Sequence, residues 1–140
     1  MKDTKILLVD DIDYTRQLLR NNIMALASEG LLAHSNFNFF NANSTVSAMN
    51  MFSLQSPQII FLDIELPDGS GLDLLSKIKA VRPNCFIVMV SANSTLENVQ
   101  QSIKKGAASF IVKPFNGDKI LAAMKLYEKT LHTASAHCSD

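Results

Sequence analysis

The chain has 140 residues, 47% of them apolar and 19% charged, and its 13 basic residues balance 13 acidic ones. This composition excludes a disordered chain or a collagen-like repeat, and the length suffices for one self-sufficient hydrophobic core. Because no apolar run approaches the roughly 18–20 residues of a membrane span and the net charge is zero, we expect a cytoplasmic protein with no membrane insertion and no direct nucleic-acid partner.

The first half of the chain alternates strand and helix patterns. Residues 6–9 are a branched apolar run, which predicts a strand buried on both faces. Apolar side chains then recur with helical period from Leu19 to Leu26, and this helix ends near Ser28 or continues through Leu32. A second strand and a capped second helix are predicted at residues 37–40 and 44–52.

The second half repeats the pattern three times. Apolar runs predict strands at residues 59–62, 86–90 and 110–112. Helical periods follow them at residues 72–78, 96–103 and 120–131. Strands that alternate with amphipathic helices pair in parallel through right-handed crossovers. The sequence therefore predicts an α/β domain over residues 1–131, a doubly wound five-stranded parallel sheet with helices on both faces. A flexible C-terminal tail is predicted over residues 132–140.

Polar side chains follow four of the five predicted strands. Asp10 and Asp11 follow the first strand, Asp63 the third, Ser91 the fourth and Lys113 the fifth. In an open parallel sheet, ligands bind at the carboxyl ends of the strands, so we expect these side chains to share one rim. Three carboxylates this close together need a cation, and an all-oxygen ligand set suits Mg²⁺ or Mn²⁺. Lys113 and Ser91 would then cradle a dianionic phosphoryl group, with Asp63 as the nucleophile.

Four strings carry a resemblance to a known family: LLVDD, IIFLDIELPDGSG, VMVSA and FIVKPF. Together and in this order, they closely resemble the receiver domain of bacterial two-component response regulators, of the CheY-like type. The resemblance covers Lys5 to about Leu131 and implies a flavodoxin-like, receiver-type fold. It also implies that Asp63 accepts a phosphoryl group from a sensor histidine kinase, a histidine phosphotransfer protein or a small phosphodonor. Such a domain is a phosphoacceptor that assists its own phosphoryl transfer and dephosphorylation, and it is not an ordinary enzyme.

The resemblance also implies a ligand set for the metal. Asp11 and Asp63 would bind Mg²⁺ directly, Asp10 would help through water, and the backbone carbonyl of Glu65 would complete the protein ligands. Glu65 and Asn93 stand at variable rim positions with which family members set the rate of phosphate hydrolysis. A negative Glu65 beside the phosphoryl site bears directly on the phosphate lifetime.

Three residues resemble the switch machinery of the family. Ser91 resembles the switch hydroxyl, Lys113 the phosphoryl-binding lysine, and Phe110 the aromatic side chain that turns inward on phosphorylation. The family often has a cis bond after this lysine, which is physically reasonable before Pro114. Because Phe110 has no hydroxyl where many members have tyrosine, its inward state must depend on packing.

Two outputs fit such a domain if it stands alone. The first is a switch in phosphorelay signal transduction that binds an unidentified target protein through the surface of the last two helices and the fifth strand. The second is an intermediate phosphate carrier in a multistep relay. An FMN-binding flavodoxin-like module is disfavoured, because Asp10 and Asp11 would repel the FMN phosphate. A phosphatase of the haloacid-dehalogenase type needs an aspartate two residues after the nucleophile, where Glu65 stands.

Overall fold

Seven strands and five helices make up this computed structural model, which describes the backbone of residues 3–138 and side chains of residues 3–131. The strands, in chain order, are β1 (Thr4–Val9), β2 (Phe37–Ala42), β3 (Ile59–Leu62), β4 (Glu65–Leu66), β5 (Gly69–Ser70), β6 (Phe86–Ser91) and β7 (Ser109–Val112). The helices are α1 (Asp13–Ser28), α2 (Thr45–Gln55), α3 (Gly71–Val81), α4 (Leu96–Lys104) and α5 (Gly117–Cys138).

Five of the strands form one sheet in the order β2-β1-β3-β6-β7, and every neighbouring pair is parallel. All residues of β3 and β6 are buried, which explains their continuous apolar runs. One hydrophobic cluster lies under α1 and α5, with Ile23 and Met124 in it, and a second lies under α2 and α3, with Phe52 and Leu75. The predicted doubly wound sheet with helices on both faces is confirmed.

The end of α1, which the sequence left open, lies at Ser28. Gly30 then adopts a φ of 74° and its N–H donates to the carbonyl of Ala27, while the N–H of Leu31 donates to the carbonyl of Leu26. A left-handed glycine of this kind satisfies the last carbonyls of a helix and turns the chain away from its axis. The helix therefore does not continue through Leu32.

Two stretches differ from the sequence prediction. The segment between β3 and α3, for which the sequence predicts neither strand nor helix, contains the β4–β5 hairpin. Helix α5 continues past Leu131 to Cys138, because residues 132–138 contain neither glycine nor proline to end it. The start of the predicted tail is therefore helical in backbone, and its flexibility stays a prediction. Residues 139–140 and the side chains from residue 132 onward lie outside the described part.

Helix α4 has the predicted apolar period, but much of that face is not covered. Leu96 is 72% exposed and Ile103 is 51% exposed. A helical period predicts an amphipathic helix, and it does not determine which neighbour covers the apolar stripe. Among the residues that the structure describes, no helix is both long and apolar enough to cross a membrane.

Candidate functional site

The sheet brings the predicted rim residues together. Asp10 follows β1, Asp63 follows β3, Ser91 ends β6 and Lys113 follows β7. Because these four strands are adjacent and parallel, their carboxyl ends lie at the same edge of the sheet. The rim therefore collects acidic, hydroxyl and ammonium groups from segments up to 103 residues apart.

Three carboxylates form a cluster on this rim. Asp10, Asp11 and Asp63 can each offer one oxygen, and these atoms lie within 4.8 Å of one another. Asp10 and Asp63 are buried, whereas Asp11 is exposed at the mouth of the cluster. A set of hard oxygen donors that is open on one side suits Mg²⁺, which retains several waters and takes few protein ligands. The residues present therefore fit the predicted metal.

Lys113 reaches across the rim to the two buried carboxylates. Its Nζ lies 2.6 Å from Oδ2 of Asp10 and 2.9 Å from Oδ2 of Asp63. Desolvation lowers the pKa of Lys113, but the hydrogen bonds to Asp10 and Asp63 outweigh it, so the net pKa is raised above its ordinary value. The ammonium is thus held in its charged form between the two acids.

Burial has the opposite consequence for Asp10. Desolvation raises the pKa of Asp10, and the hydrogen bonds from Lys113 and from the backbone N–H of Ile12 offset only part of that rise. The Ile12 N–H donates to Oδ1 of Asp10 at 2.9 Å, so both carboxylate oxygens have a donor. Burial therefore makes the ionised form of Asp10 costly even with the Lys113 ammonium beside it.

Ser91 is fully buried at the end of β6. Its Oγ accepts a hydrogen bond from the Asn93 N–H at 3.2 Å, and its carbonyl accepts from the Lys113 N–H at 3.1 Å. Asn93 in turn accepts at its carbonyl from Nδ2 of Asn98 in α4, at 3.2 Å. A short chain of hydrogen bonds therefore connects Ser91 to α4. Phe110 of β7 is half-buried and packs against the hydrophobic cluster under α2 and α3.

Glu65 lies beside the nucleophile position, in strand β4. Its side chain is exposed, and its N–H approaches Oδ1 of Asp63 at 3.4 Å. The peptide bond between Lys113 and Pro114 is cis, as the sequence resemblance implied.

Comparison with known proteins assigns this chain to a family. The family model described as "Response regulator receiver domain" matches residues 6–125. The chain belongs to the response regulator receiver domain family. Receiver domains are phosphoacceptors of two-component signalling, and they bind Mg²⁺ at an acidic pocket of the kind that the three aspartates form.

Individual relatives match nearly the whole receiver domain. The chain is 34% identical over 122 residues to "Chemotaxis protein CheY" of Listeria monocytogenes, a match that spans 86% of this chain and 95% of the relative. It is 29% identical over 127 residues to "Sporulation initiation phosphotransferase F" of Bacillus subtilis, spanning 91% and 95%. The solved receiver domain of NtrX from Brucella abortus is 33% identical, with a TM-score of 0.73 and coverage of 88% and 98%.

Sequence reasoning missed three residues around the site of this receiver domain. Arg16 donates to the carbonyl of Asp10 and to the carboxylate of Asp13, and the i, i+3 spacing of Asp13 and Arg16 could have indicated the ion pair. Gly71 packs directly on the backbone of Asp63. Asp68 hydrogen-bonds to the start of α2, and no local pattern signals a contact between these distant segments.

Proposed function

We propose that this receiver domain is a phosphorylation-controlled switch. It accepts a phosphoryl group on Asp63 from a sensor histidine kinase or a histidine phosphotransfer protein, and the modified form binds a target protein differently. The observation that carries the proposal is the contact of Lys113 with both Asp10 and Asp63 beside the open carboxylate cluster. One cation cannot neutralise three acids, so the net negative charge of the site favours binding of a divalent metal. The metal in turn favours binding of a dianionic phosphoryl group.

The proposed metal ligands are Asp11 and Asp63, with Asp10 acting through water and the backbone carbonyl of Glu65 completing the set. Bound Mg²⁺, or Mn²⁺ in its place, supplies positive charge that allows a phosphoryl group to approach the carboxylates. The exposed position of Asp11 supports this assignment, because the metal and the phosphodonor must enter from that side.

The proposed chemistry is a transfer to a carboxylate oxygen. An oxygen of Asp63 forms a bond to phosphorus while the phosphorus–nitrogen bond of the donor phosphohistidine breaks, and the leaving imidazole nitrogen keeps the bonding electron pair. The Lys113 ammonium, now 2.9 Å from Asp63, would neutralise charge on the transferred group. Hydrolysis by water would reverse the modification, and we assign the tuning of its rate to Glu65 and Asn93.

The proposed switch begins at Ser91. A phosphoryl oxygen on Asp63 would attract the Ser91 hydroxyl, and Phe110 would move into the space that opens behind it. The hydrogen-bond chain from Ser91 through Asn93 to Asn98 supports a parallel effect on α4. A change of about 1.4 kcal/mol shifts a two-state population tenfold, so one hydrogen bond is enough to matter.

The proposed target-binding surface consists of α4, β7 and α5. Leu96, Ile103 and Val112 are 72%, 51% and 48% exposed there, an apolar area that a partner could bury. The target itself is unidentified. We also propose a cytoplasmic location, where sensor kinases present their phosphohistidine.

A second function, that of an intermediate phosphate carrier, is supported by one specific observation. The relative "Sporulation initiation phosphotransferase F" matches over 95% of its length. In a carrier, the phosphoryl group on Asp63 would pass on to a histidine of a downstream protein, and coupling to α4 and Phe110 would be unnecessary.

The modification is tested with acetyl phosphate and Mg²⁺ on the whole chain. We expect a mass increase of about 80 Da, one phosphoryl group, that maps to Asp63 and is absent in Asp63→Asn. The matched control is Asp73→Asn, which removes an exposed carboxylate in α3 and should be labelled normally. Label that maps to Asp10, Asp11 or a histidine would refute the assignment.

The switch and the carrier are separated by amide NMR with beryllofluoride, which stands in for the phosphoryl group. A switch requires chemical-shift changes that extend to Phe110 and α4. Changes confined to the loops around Asp63 would favour the carrier.

A further inference from the structure

The carboxylate of Asp68 connects two segments that are distant in sequence. Its Oδ1 accepts from the Thr45 N–H at 2.7 Å, and its Oδ2 accepts from the Thr45 hydroxyl at 2.9 Å and from the Val46 N–H at 3.2 Å. Asp68 lies in the turn between β4 and β5, whereas Thr45 and Val46 begin α2. The backbone hydrogen bond from Thr45 lowers the pKa of Asp68, which keeps the side chain ionised as an acceptor.

Helix α2 does not depend on Asp68 alone for its cap. The Ser44 hydroxyl accepts from the Ser47 N–H, and the Ser47 hydroxyl accepts from the Ser44 N–H, both at 3.1 Å. This capping box satisfies one pair of backbone donors, while Asp68 satisfies the neighbouring pair at Thr45 and Val46. Helix α2 therefore has a cap of its own. The contact with Asp68 also anchors the other segment that it joins, the β4–β5 hairpin.

The β4–β5 hairpin is very short and carries Glu65 on one strand. Only two residue pairs form its ladder, Glu65 with Ser70 and Leu66 with Gly69. A two-stranded ribbon of this size is not stable alone. Its base is fixed where the Gly71 N–H donates to the Ile64 carbonyl at 2.6 Å, and its turn is fixed by Asp68 on α2.

We infer that Asp68 is a positioning residue for the metal site: by anchoring the hairpin to α2, it fixes the backbone at Glu65, and with it the Glu65 carbonyl. The N–H of the same residue lies 3.4 Å from Oδ1 of Asp63. The inference depends on the proposed function, which assigns that carbonyl to the metal. Without Asp68, the segment between Asp63 and Gly71 keeps its base and loses its fixed turn. The carbonyl then samples several positions, and the metal must order it on binding.

The test compares Mg²⁺ affinity in two variants that each remove one cap of α2. Asp68→Ala releases the hairpin and leaves the Thr45 and Val46 N–H groups of α2 without their acceptor, whereas Ser44→Ala weakens the helix and leaves the hairpin anchored. Mg²⁺ alone is the probe, titrated against amide NMR shifts of the whole chain. Removing a residue that orients a metal ligand typically costs 10–100-fold in affinity, so we expect a loss of about 10-fold for Asp68→Ala. Ser44→Ala should stay within about 2-fold of wild type, because its effect is confined to helix stability.

A conservative variant separates the anchor from the charge. Asp68→Asn keeps an oxygen acceptor for the Thr45 N–H, and we expect it to recover most of the lost affinity. Circular dichroism and urea unfolding establish that each variant is folded before titration.

Two results would overturn the inference: an Asp68→Ala affinity equal to wild type, or an equal loss in Ser44→Ala. The outcomes also distinguish it from the proposed function. Wild type that is phosphorylated at Asp63, with unchanged Mg²⁺ affinity in Asp68→Ala, refutes the positioning role alone. Wild type that binds no Mg²⁺ refutes both, and wild type that binds Mg²⁺ but accepts no phosphoryl group refutes the proposed function alone.

Discussion

Gly71 packs so closely on Asp63 that no side chain fits between them. A β-carbon at Gly71 would overlap the Asp63 carbonyl oxygen and lie 2.8 Å from both the Asp63 carbonyl carbon and the Ile64 Cα. These atoms are backbone and cannot move aside as a flexible side chain does. The start of α3 is therefore fixed directly against the peptide that carries the proposed phosphoacceptor.

Gly71→Ala should destabilise the domain by about 3 kcal/mol, at the upper end of what overpacking usually costs, because the backbone at Asp63 must shift. Urea unfolding measures this change. Gly69→Ala is the matched control, since a β-carbon there meets the Thr45 methyl group at 3.4 Å, an ordinary contact. Equal stability of the two variants would mean that the backbone around Asp63 adjusts freely.

Asp11→Ala should abolish phosphorylation by acetyl phosphate, because it removes the exposed carboxylate of the cluster and with it a proposed metal ligand. EDTA should have the same effect on wild type. The measurement is incorporation of phosphoryl label with and without added Mg²⁺. Label that persists undiminished in EDTA would contradict a role for the metal.

Lys113→Ala should lose much of the phosphorylation and also destabilise the domain. The substitution leaves the buried carboxylates of Asp10 and Asp63 without their shared cation, and breaking such a pair costs about 3–5 kcal/mol. Mg²⁺ should restore part of this stability, and restore more in the variant than in wild type, because it supplies positive charge at the same place. Urea unfolding in EDTA and in Mg²⁺ gives the comparison, and an identical Mg²⁺ effect in both proteins would be the contrary result.

The stability of Asp10→Asn relative to wild type should increase as the pH rises in the absence of metal. Burial raises the pKa of Asp10 above 3.8, so the folded protein binds this proton more tightly than the unfolded chain does. The free energy of unfolding from this group therefore falls as the pH rises from below 3.8 through the raised pKa. Asparagine cannot ionise and lacks that fall. Urea unfolding in EDTA from about pH 4 to about pH 8 measures it.

The control for this prediction is Asp73→Asn, at an exposed position of α3. This variant removes one carboxylate and leaves the buried rim unchanged. If the difference in the free energy of unfolding between Asp10→Asn and wild type does not grow with pH, burial does not raise the pKa of Asp10.

Ser91→Ala should still be phosphorylated at Asp63 but should lose most phosphate-dependent binding, because the hydroxyl that would respond to the phosphoryl group is gone. Beryllofluoride-induced NMR shifts should then stay near Asp63 and no longer reach Phe110. Shifts at Phe110 of equal size in Ser91→Ala and wild type would show that the signal follows another route.

Phe110→Tyr should remain folded and phosphorylatable, with at most a modest change in the population of molecules whose ring turns inward.

The rim of the site could be predicted because it depends on local patterns. Asp10, Asp63, Ser91 and Lys113 each terminate an apolar run, and a parallel sheet places the ends of its strands at one edge whatever the details of packing. The same alternation of runs and periods predicted the five strands of the main sheet and the five helices. The four family strings then supplied the roles that local pattern alone does not give.

The tertiary structure decided which surfaces meet. The helical period places Leu96 and Ile103 on one apolar stripe of α4. The period does not show whether a neighbouring element covers this stripe, and in the packed structure both side chains are exposed. The bond from Asp68 to Thr45 spans 23 residues and joins a turn to a helix start, and the local pattern of neither segment indicates the other. Such contacts depend on the distance between elements in space. Spacing along the chain determines which face a side chain occupies, and the packing of the whole fold determines what lies opposite that face.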